Sequence, residues 1–521
     1  MKTLWNKLVH NGVYFPQAYT PLPNTVKLFY DGKPVGLTIT EEELAYLYAR
    51  YIGTEYTDNK TFNKNFWSDW KKILGKNSII QNWDLIDFTQ IKKFIEEQKE
   101  KKKELSSDEK KAIKEERDEK LKKYKTCFID GIEQPVGNFM VEPPEIFKGR
   151  GKHPKSGCIK PRVKPEDVTI NISKDAEVPK PNIEGSWGKV VEDKTVMWIA
   201  SWKDSISGKT KYVFVGQDSN LRMSNDIKKF ELARKLKTKI KKIRNIYLSD
   251  LSSPERKTRQ IACAIYLIDL LALRVGNEKS EDEAETVGVT SLKVKNVHIT
   301  DDHVLKLDFL GKDSIRYQRT VCIDQQVSKN MKEFKTNKND DEDLFELVNS
   351  TDINDYLHSL MKNLSAKVFR TFNASYLFQK ELNKIETKVS KLGDDISKQN
   401  LSLHLYNLAN TEVAKLCNHQ KKVSANFKDQ IKKIDDQIKK LSSKDKKTDK
   451  QREKLKELKN KKKLKQEIRN LSLGTSKINY LDPRISIAFL KKYGIPTEKV
   501  FTSSVLKKFT WALDVTPDWQ F

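Results

Sequence analysis

The segment from residue 421 to residue 470 limits most strongly what this 521-residue chain can fold into. It contains 20 Lys and Arg against 8 Asp and Glu, which leaves few apolar residues for a globular core. Those few recur at heptad spacing on both sides of the polar break SSKDKKTDK: Ile431, Ile434, Ile438 and Leu441 precede it, and Leu455, Leu458, Ile468 and Leu471 follow it. The pattern predicts an antiparallel coiled-coil hairpin that links two folded regions. The alternative is a solvated spacer.

The chain as a whole is too long for one hydrophobic core, and we expect two to four domains. It has 99 Lys and Arg against 72 Asp and Glu, a net charge of +27. A folded protein this basic most often binds a polyanion, and nucleic acid is the first candidate, although a ribosome-associated or chromatin protein has the same composition. The five cysteines are scattered without a CxxC pair, and the seven histidines have no metal-ligand spacing. We therefore expect neither a zinc site nor a disulfide framework, and a reducing compartment.

No membrane or targeting segment is predicted. The N-terminal sequence MKTLWNKLVHNGVYF lacks the features of a signal or transit peptide. The longest apolar run, Ile261–Leu273, is short and contains Asp269, so it is predicted to be a buried helix. The sequence indicates a soluble, intracellular protein.

The N-terminal 219 residues are predicted to be a mixed α/β region. The pattern predicts two hairpins, at Val26–Ile39 with a turn at Asp31-Gly32 and at Thr195–Gly216 with a turn at Ser207-Gly208. It also predicts a helix at Glu41–Tyr51. A charged and mostly solvated helix is predicted at Lys101–Lys125, with a restart at Ser107-Asp108.

Between these elements lies the loop Pro143–Arg162, PPEIFKGRGKHPKSGCIKPR, with six Lys or Arg residues. Glycines allow a backbone to approach a ligand closely, and interleaved cations suit phosphates. We favour DNA contact over a plain exposed loop.

From residue 220 the pattern becomes helical, and three cationic side chains stand out. Helices are predicted at Asp226–Tyr247, Ser253–Leu273, Leu357–Gln379 and Leu401–Gln420, and a hairpin at Val304–Ile323. Arg274 follows a buried helix, Lys312 lies near the hairpin tip, and Arg370 is surrounded by Val368, Phe369 and Phe372. A buried arginine needs an anionic partner in the protein or in a ligand. Taken alone, Arg274 suits a helix cap and Lys312 a solvated turn.

Two further residues complete the set. His419 ends the last of these helices, where a lone histidine is more often structural. Tyr480 lies in LGTSKINYLDPR, before a small helical segment at Ser486–Phe521. A tyrosine phenol has a pKa of roughly 10 and is a poor nucleophile unless cations surround it. The alternative is a tyrosine that fills a small core.

The motifs LALRVGNEK, DFLGKDSIRY, AKVFRTFNAS, LCNHQ and LGTSKINYLDPR, in this order, closely resemble the eukaryotic nuclear type IB DNA topoisomerases. The FKGRGKHPK loop and the PLPNTVKLFYDGK hairpin are also similar, so the resemblance covers essentially the whole chain. One departure is large: the sequence begins just before the expected core, so we expect the long charged N-terminal tail usual in that family either to have been removed or to be naturally absent.

The resemblance implies that Tyr480 is the nucleophile, that Arg274, Arg370 and His419 stabilise the transition state, and that Lys312 is the general acid. The expected DNA contacts are Arg150, Lys152, Lys155, Lys160, Lys279 and Asn479. The expected contacts for camptothecin-type inhibitors are Arg150, Asp313 and Asn479.

The implied activity is relaxation of positive and negative supercoils through a 3′-phosphotyrosine, controlled rotation and religation, without ATP, a required metal or a cofactor. The implied partner is double-stranded DNA, bound by a monomer in the nucleus, with a linker that slows rotation. The expected fold class is α+β multidomain: a mixed α/β cap (1–219), a mainly helical catalytic core (220–420), a coiled-coil linker (421–470) and a small helical C-terminal domain (471–521). A tyrosine recombinase and a non-catalytic DNA binder are the competing hypotheses.

Overall fold

The computed structural model describes residues 3–276, 286–389, 395–444 and 446–521. These residues form two compact units, which divide at residue 222. The first is mixed α/β, and the second is mainly helical with one three-stranded sheet. The predicted α+β multidomain class is confirmed.

The first unit, residues 3–222, contains twelve strands and four helices among its described residues. The strands are β1 Leu8–His10, β2 Leu28–Tyr30, β3 Lys33–Val35, β4 Ile86–Asp87, β5 Thr126–Ile129, β6 Ile132–Pro135, β7 Glu145–Ile146, β8 Ile159–Lys160, β9 Thr169–Asn171, β10 Lys189–Val191, β11 Trp198–Lys203 and β12 Thr210–Phe214. The helices are α1 Ile39–Ala49, α2 Lys60–Leu74, α3 Thr89–Glu104 and α4 Ser107–Leu121.

Two hydrophobic cores support this unit. One lies under α1, α2 and α3 and the sheet β3-β2-β4, and it buries Phe62, Phe66 and Trp70. The other lies between the sheets β1-β5-β6 and β10-β9-β11-β12. The predicted hairpins at both places are confirmed, and Asp31 and Gly32 adopt the positive φ angles (49° and 70°) that a tight hairpin turn requires.

The charged stretch predicted as one restarted helix at Lys101–Lys125 is divided between two helices. Helix α3 continues to Glu104, and α4 begins after Ser106, whose hydroxyl accepts from the Glu109 amide in a capping box. Residues 109–120 are all exposed, so α4 is a solvated helix, as predicted.

A long helix, α5 Asn220–Asp250, begins at the division between the units and continues into the second. The other helices there are α6 Arg256–Leu271, α7 Gln325–Lys335, α8 Ser350–Leu360, α9 Ala366–Val389, α10 Asp395–Leu416, α11 Phe427–Ser442, α12 Asp449–Glu467, α13 Leu473–Asn479, α14 Pro483–Lys492 and α15 Ser503–Lys508. The strands are β13 Val297–Ile299, β14 Val304–Gly311 and β15 Ile315–Cys322, in the order β13-β14-β15.

Helix α6 is central to the second unit, as its apolar sequence predicts. It buries residues on all sides, and Asp269, the charge that interrupts the run, accepts hydrogen bonds from Arg244 and Tyr247 of α5 (2.7 and 2.8 Å). These bonds satisfy the buried carboxylate. Within the described residues no helix is both long and apolar enough to cross a bilayer.

The charged segment forms the predicted helical hairpin, α11 and α12. Ile434 and Leu458 are buried in its seam, and Asp435 pairs with Lys462 across it at 2.6 Å. Helix α12 also lies along α10, where Lys415 pairs with Glu467 at 3.2 Å. The heptad pattern does not extend to Ile468 and Leu471, because α12 ends at Glu467.

Two of the predicted helices are interrupted or shortened by an asparagine in the left-handed conformation. The run Leu357–Gln379 is interrupted: α8 ends at Leu360, Asn363 has a left-handed φ of 63°, and α9 begins at Ala366. The run Leu401–Gln420 ends at Leu416, because Asn418 has a φ of 52°. His419 therefore lies in the turn after the helix and not at its last residue.

Candidate active site

A single cavity in the second unit, of about 160 Å³, is lined by all four of the predicted catalytic partners of the tyrosine: Arg274, Lys312, Arg370 and His419. They come from four separate elements of the chain. The cavity therefore brings together three cationic side chains and one imidazole, which makes it suited to an anion.

Arg274 reaches the cavity because α6 ends before it. Ala272 takes a left-handed conformation (φ 50°) that terminates the helix, and Arg274 is the second residue beyond. The carbonyls of Arg274 and Val275 then accept hydrogen bonds from the amides of Val289 and Thr290 (2.9 and 2.7 Å). The arginine thus leaves a fixed segment, and its side chain is exposed towards the cavity rather than serving as a helix cap.

Lys312 is placed by the hairpin of β14 and β15. The strands pair continuously from Val304–Cys322 to Gly311–Ile315, which leaves Lys312, Asp313 and Ser314 as the connecting loop. Asp313 and Ser314 have positive φ angles of 67° and 55°. The stiff ribbon thereby carries the exposed lysine to the cavity, as the sequence predicts.

Arg370 is the most buried of these cations, with 5% of its surface exposed. Its Nη2 donates to the carbonyl of Cys417 (3.1 Å), and its guanidinium carbon lies 4.8 Å from the centre of the Tyr480 ring. Its Nε has no hydrogen-bond partner within the described part of the chain. A carbonyl dipole and an aromatic face do not neutralise a buried charge, so this site favours a bound anion.

His419 is also buried, and its imidazole is neutral at physiological pH. Burial, with the positive charges of Arg370 and Arg274 next in effect, lowers its pKa to about 3. Nδ1 lies 2.7 Å from Oγ of Ser476, while Nε2 has no partner among the described residues.

Tyr480 lies against two of the cavity residues. It follows α13, its amide donates to the carbonyl of Ser476 (2.9 Å), and its ring stacks on the His419 ring with centroids 5.4 Å apart. The hydroxyl of Ser375, on α9, donates to the Tyr480 carbonyl and accepts from the Asp482 amide, both at 3.0 Å. The backbone on both sides of the tyrosine is therefore fixed to the helix that carries Arg370.

The base of the linker hairpin explains how His419 and Tyr480 meet. Gln420 pairs with Leu471 in an antiparallel bridge, and the Lys421 amide donates to the Asn470 carbonyl (2.8 Å). The Ser472 amide then donates to the carbonyl of His419 at 2.7 Å. The 50 residues between are closed into a loop, which places α13 directly against His419.

Of the other predicted contacts in this unit, Asp313 and Asn479 are exposed, and the Asn479 amide nitrogen donates to the Thr475 carbonyl (3.1 Å). Lys279 lies outside the described residues.

In the first unit the loop Pro143–Arg162 is more ordered than its composition suggests. Strands β7 and β8 pair at its ends, and Gly157, at φ 95°, lies so close to α2 that a Cβ there would be 2.0 Å from the Phe62 carbonyl oxygen. This glycine therefore serves a close approach to the protein itself.

The four cations predicted in this loop are not equivalent. Arg150 and Lys152 are exposed. Lys155 donates to the Ile206 carbonyl (3.0 Å), and Lys160 pairs with Glu142 and Asp204 (2.5 and 3.7 Å). The ammonium of Lys160 thus belongs to an internal ion cluster.

Sequence reasoning missed the residues that hold this site together. Ser375 and Ser476 are completely buried serines whose partners lie 105 and 57 positions away in the sequence. Asp482 caps α14 and pairs with Arg484, which also reaches Glu231 of α5. Only the Asp-Pro pair gave a local signal, because Pro at the first helical position follows a capping residue.

Family models match nearly the whole chain. Residues 3–215 match the family model described as eukaryotic DNA topoisomerase I, DNA binding fragment, residues 218–467 match its catalytic core, and residues 452–521 match the C-terminal topoisomerase domain. DNA topoisomerase 1 of Homo sapiens is 39% identical over 556 residues, which cover 99% of this chain and 72% of the human protein. The chain belongs to the eukaryotic DNA topoisomerase I family.

Other topoisomerase I relatives show the same similarity. DNA topoisomerase 1 alpha of Arabidopsis thaliana is 42% identical over 553 residues, covering 99% of this chain and 59% of the plant protein. DNA topoisomerase 1 of Caenorhabditis elegans is 42% identical over 546 residues, covering 98% of this chain and 67% of the nematode protein. The chain thus spans about 59% of the length of its Arabidopsis relative. The predicted family is confirmed.

Proposed function

We propose that this chain is a type IB DNA topoisomerase, which relaxes positive and negative supercoils through a transient 3′-phosphotyrosine without ATP. The single observation that carries the proposal is the shared cavity of Arg274, Lys312, Arg370 and His419 beside the ring of Tyr480. Family membership supports the same activity.

In the cleavage step the Tyr480 oxygen attacks a phosphodiester phosphorus, a P–O bond forms to the tyrosine, and the bond to the 5′ oxygen breaks. Negative charge that grows on the non-bridging oxygens is stabilised by Arg274 and Arg370 and by a hydrogen bond from His419. One proton leaves the phenol, and one is delivered to the 5′ oxygen, for which Lys312 is the general acid. Because the phosphodiester bond energy is kept in the phosphotyrosine, religation is the reverse of this step.

The partner is double-stranded DNA, held mainly through its phosphates. The matched DNA-binding fragment of the family and the exposed Arg150 and Lys152 support this assignment for the first unit. Lys155 and Lys160 contact protein groups, so we assign them the role of stabilising the conformation of the same loop. Lys279 and Asn479 remain proposed contacts for DNA. Arg150, Asp313 and Asn479 remain proposed contacts for a camptothecin-type inhibitor. We assign the protein to the nucleus as a monomer.

The linker hairpin is assigned a role in rotation rather than in cleavage. Its net charge of +12 and its exposed lysines suit contact with duplex DNA downstream of the break. None of the cavity residues comes from the hairpin itself.

Relaxation of a supercoiled plasmid by the parent protein and by Tyr480→Phe tests the proposal. The assay contains EDTA and no ATP, and filter binding measures DNA affinity in parallel. We expect relaxation of both signs of supercoil by the parent, and none by the variant at unchanged affinity. Relaxation by Tyr480→Phe near the parent rate would exclude this nucleophile.

A further inference from the structure

A buried hydrogen bond connects His419 with the helix that ends at Tyr480. Oγ of Ser476 lies 2.7 Å from Nδ1 of His419, and both residues are buried. Ser476 lines no part of the cavity, so its hydroxyl meets the substrate only through the imidazole.

Either atom of this hydrogen bond could be the donor, and the two possibilities leave different groups without a hydrogen-bond partner. If Nδ1–H donates, the serine hydroxyl proton must find another acceptor, and the described residues provide none for it. Leaving a buried donor without an acceptor is unfavourable, because the hydroxyl loses its hydrogen bonds to water without replacing them. If the hydroxyl donates to Nδ1, its proton is satisfied and the imidazole proton resides on Nε2.

Of the two ring nitrogens of His419, Nε2 is the one without a partner among the described residues, and the His419 side chain lines the cavity with Arg274 and Arg370. Burial and these two arginines lower the pKa of His419 to about 3, so protonation of both nitrogens is not available near neutral pH. A neutral imidazole donates to an anion only when the proton is on the nitrogen that faces it.

We propose that Ser476 is a positioning residue that holds His419 in the Nε2–H tautomer and so makes a neutral imidazole a hydrogen-bond donor to the scissile phosphate. This inference rests on the proposed cleavage function.

The same serine also ties this donor to the nucleophile. Its carbonyl accepts from the amides of Tyr480 and Leu481 (2.9 and 3.0 Å), while its hydroxyl contacts His419. One residue thereby fixes the distance between the group that attacks the phosphorus and a group that stabilises the resulting charge.

A double-mutant cycle measures this coupling. Single-turnover cleavage is followed for the parent, Ser476→Ala, His419→Gln and the double variant. The substrate is a duplex oligonucleotide from which the short fragment with the new 5′ hydroxyl diffuses away, so that religation does not occur. A glutamine amide donates without any tautomer choice. We expect Ser476→Ala to slow cleavage about tenfold. This is less than the roughly 100- to 1,000-fold loss expected when a whole hydrogen-bond donor to the transition state is removed. In the His419→Gln background, we expect Ser476→Ala to change the cleavage rate by less than about twofold.

Matched variants separate positioning from folding. Ser476→Thr keeps the hydroxyl and is expected to restore most of the rate. Ser486→Ala removes another buried serine, bonded to the Tyr406 hydroxyl at 2.8 Å, and is expected to leave cleavage unchanged. An equal loss from Ser476→Ala in both backgrounds, or no loss in the parent, would overturn the proposal.

Nitrogen NMR of ¹⁵N-histidine-labelled protein without DNA gives a readout independent of activity, with the His419 signals assigned by their loss in His419→Gln. We expect a protonated Nε2 and an unprotonated Nδ1 in the parent, and a mixture of tautomers in Ser476→Ala. A proton on Nδ1 of the parent would overturn the tautomer assignment. A parent with the expected spectrum but no covalent adduct would refute the cleavage function and leave the hydrogen bond intact.

Discussion

The guanidinium of Arg370 lies over the ring of Tyr480, with 4.8 Å between the guanidinium carbon and the ring centre. The arginine is on α9, and the tyrosine follows α13, 110 residues later in the sequence. Ser375 fixes the backbone of Tyr480 to the same helix. The cation and the proposed nucleophile are thus held by one element, which keeps their separation independent of the linker.

Arg370→Lys tests whether the planar guanidinium is needed. The guanidinium of Arg370 can bond the Cys417 carbonyl with one nitrogen and still donate to a phosphate with the others. A lysine keeps the positive charge but lacks this planar set of donors. We expect cleavage to fall by about 100-fold, with DNA affinity changed much less. Arg259→Lys is the control for folding, because Arg259 is a partly buried arginine outside the cavity that pairs with Glu333 at 2.6 Å. A Lys variant with the parent cleavage rate would contradict a bidentate role.

Lys312→Ala tests the general acid. The loss of a proton donor should slow cleavage of an ordinary phosphodiester about 100-fold or more. A substrate with sulfur in place of the leaving 5′ oxygen needs no such proton, so it should be cleaved by the variant at close to the parent rate. Lys306→Ala, at an exposed lysine of the same hairpin, should affect neither substrate. Equal defects on both substrates would assign Lys312 a role other than proton transfer.

Shortening the linker tests its proposed role in rotation. Because Lys421 and Asn470 are bonded across the hairpin base, a short Gly/Ser turn can replace the residues between them. We expect an unchanged rate of adduct formation and more supercoils removed per cleavage event, measured on single tethered DNA molecules.

A second linker variant separates charge from structure. Lys433, Lys440 and Lys446 are exposed, so their replacement by Gln keeps both helices and lowers the charge. The same increase in supercoils per event, with a weaker salt dependence, is expected. Identical behaviour of parent and both variants would remove the linker from the mechanism.

The buried, neutral His419 predicts a pH-dependent stability. Its folded pKa of about 3 lies below the ordinary value of 6.5, so the unfolded chain binds more protons between these values and stability falls as the pH drops through this window. From pH 7.5 to 5.5 the parent should lose about 1.4 kcal/mol more unfolding free energy than His419→Gln. Urea unfolding of both proteins, with the exposed His298→Gln as control, measures the difference. Equal pH dependence in parent and His419→Gln would mean that His419 titrates normally.

The sequence predicted the elements of the site better than their boundaries. The hairpin that carries Lys312 and the helix before Arg274 follow from local alternation and an apolar run, since those patterns are decided within a few residues. The predicted ends of α8 and α10 were wrong, because Asn363 and Asn418 adopt the left-handed conformation shortly after each helix. An asparagine in the sequence gives only a weak signal for that conformation.

The convergence of the site was predictable only through family resemblance. Arg274 and Lys312, judged singly, suited a helix cap and a solvated turn. Nothing local indicates that Ser476 bonds His419, since that contact depends on closure of the 50-residue hairpin at Gln420 and Leu471. Buried serines carry no periodic signal, so their partners are visible only in the folded chain.

Mapping the covalent adduct tests the central claim most directly. The protein is incubated with supercoiled plasmid, trapped with denaturant, digested with nuclease and protease, and analysed by mass spectrometry. We predict a nucleotide joined through its 3′ phosphate to the peptide that contains Tyr480, and no adduct from Tyr480→Phe. An adduct on any other residue, or the same yield from the Phe variant, would contradict the account.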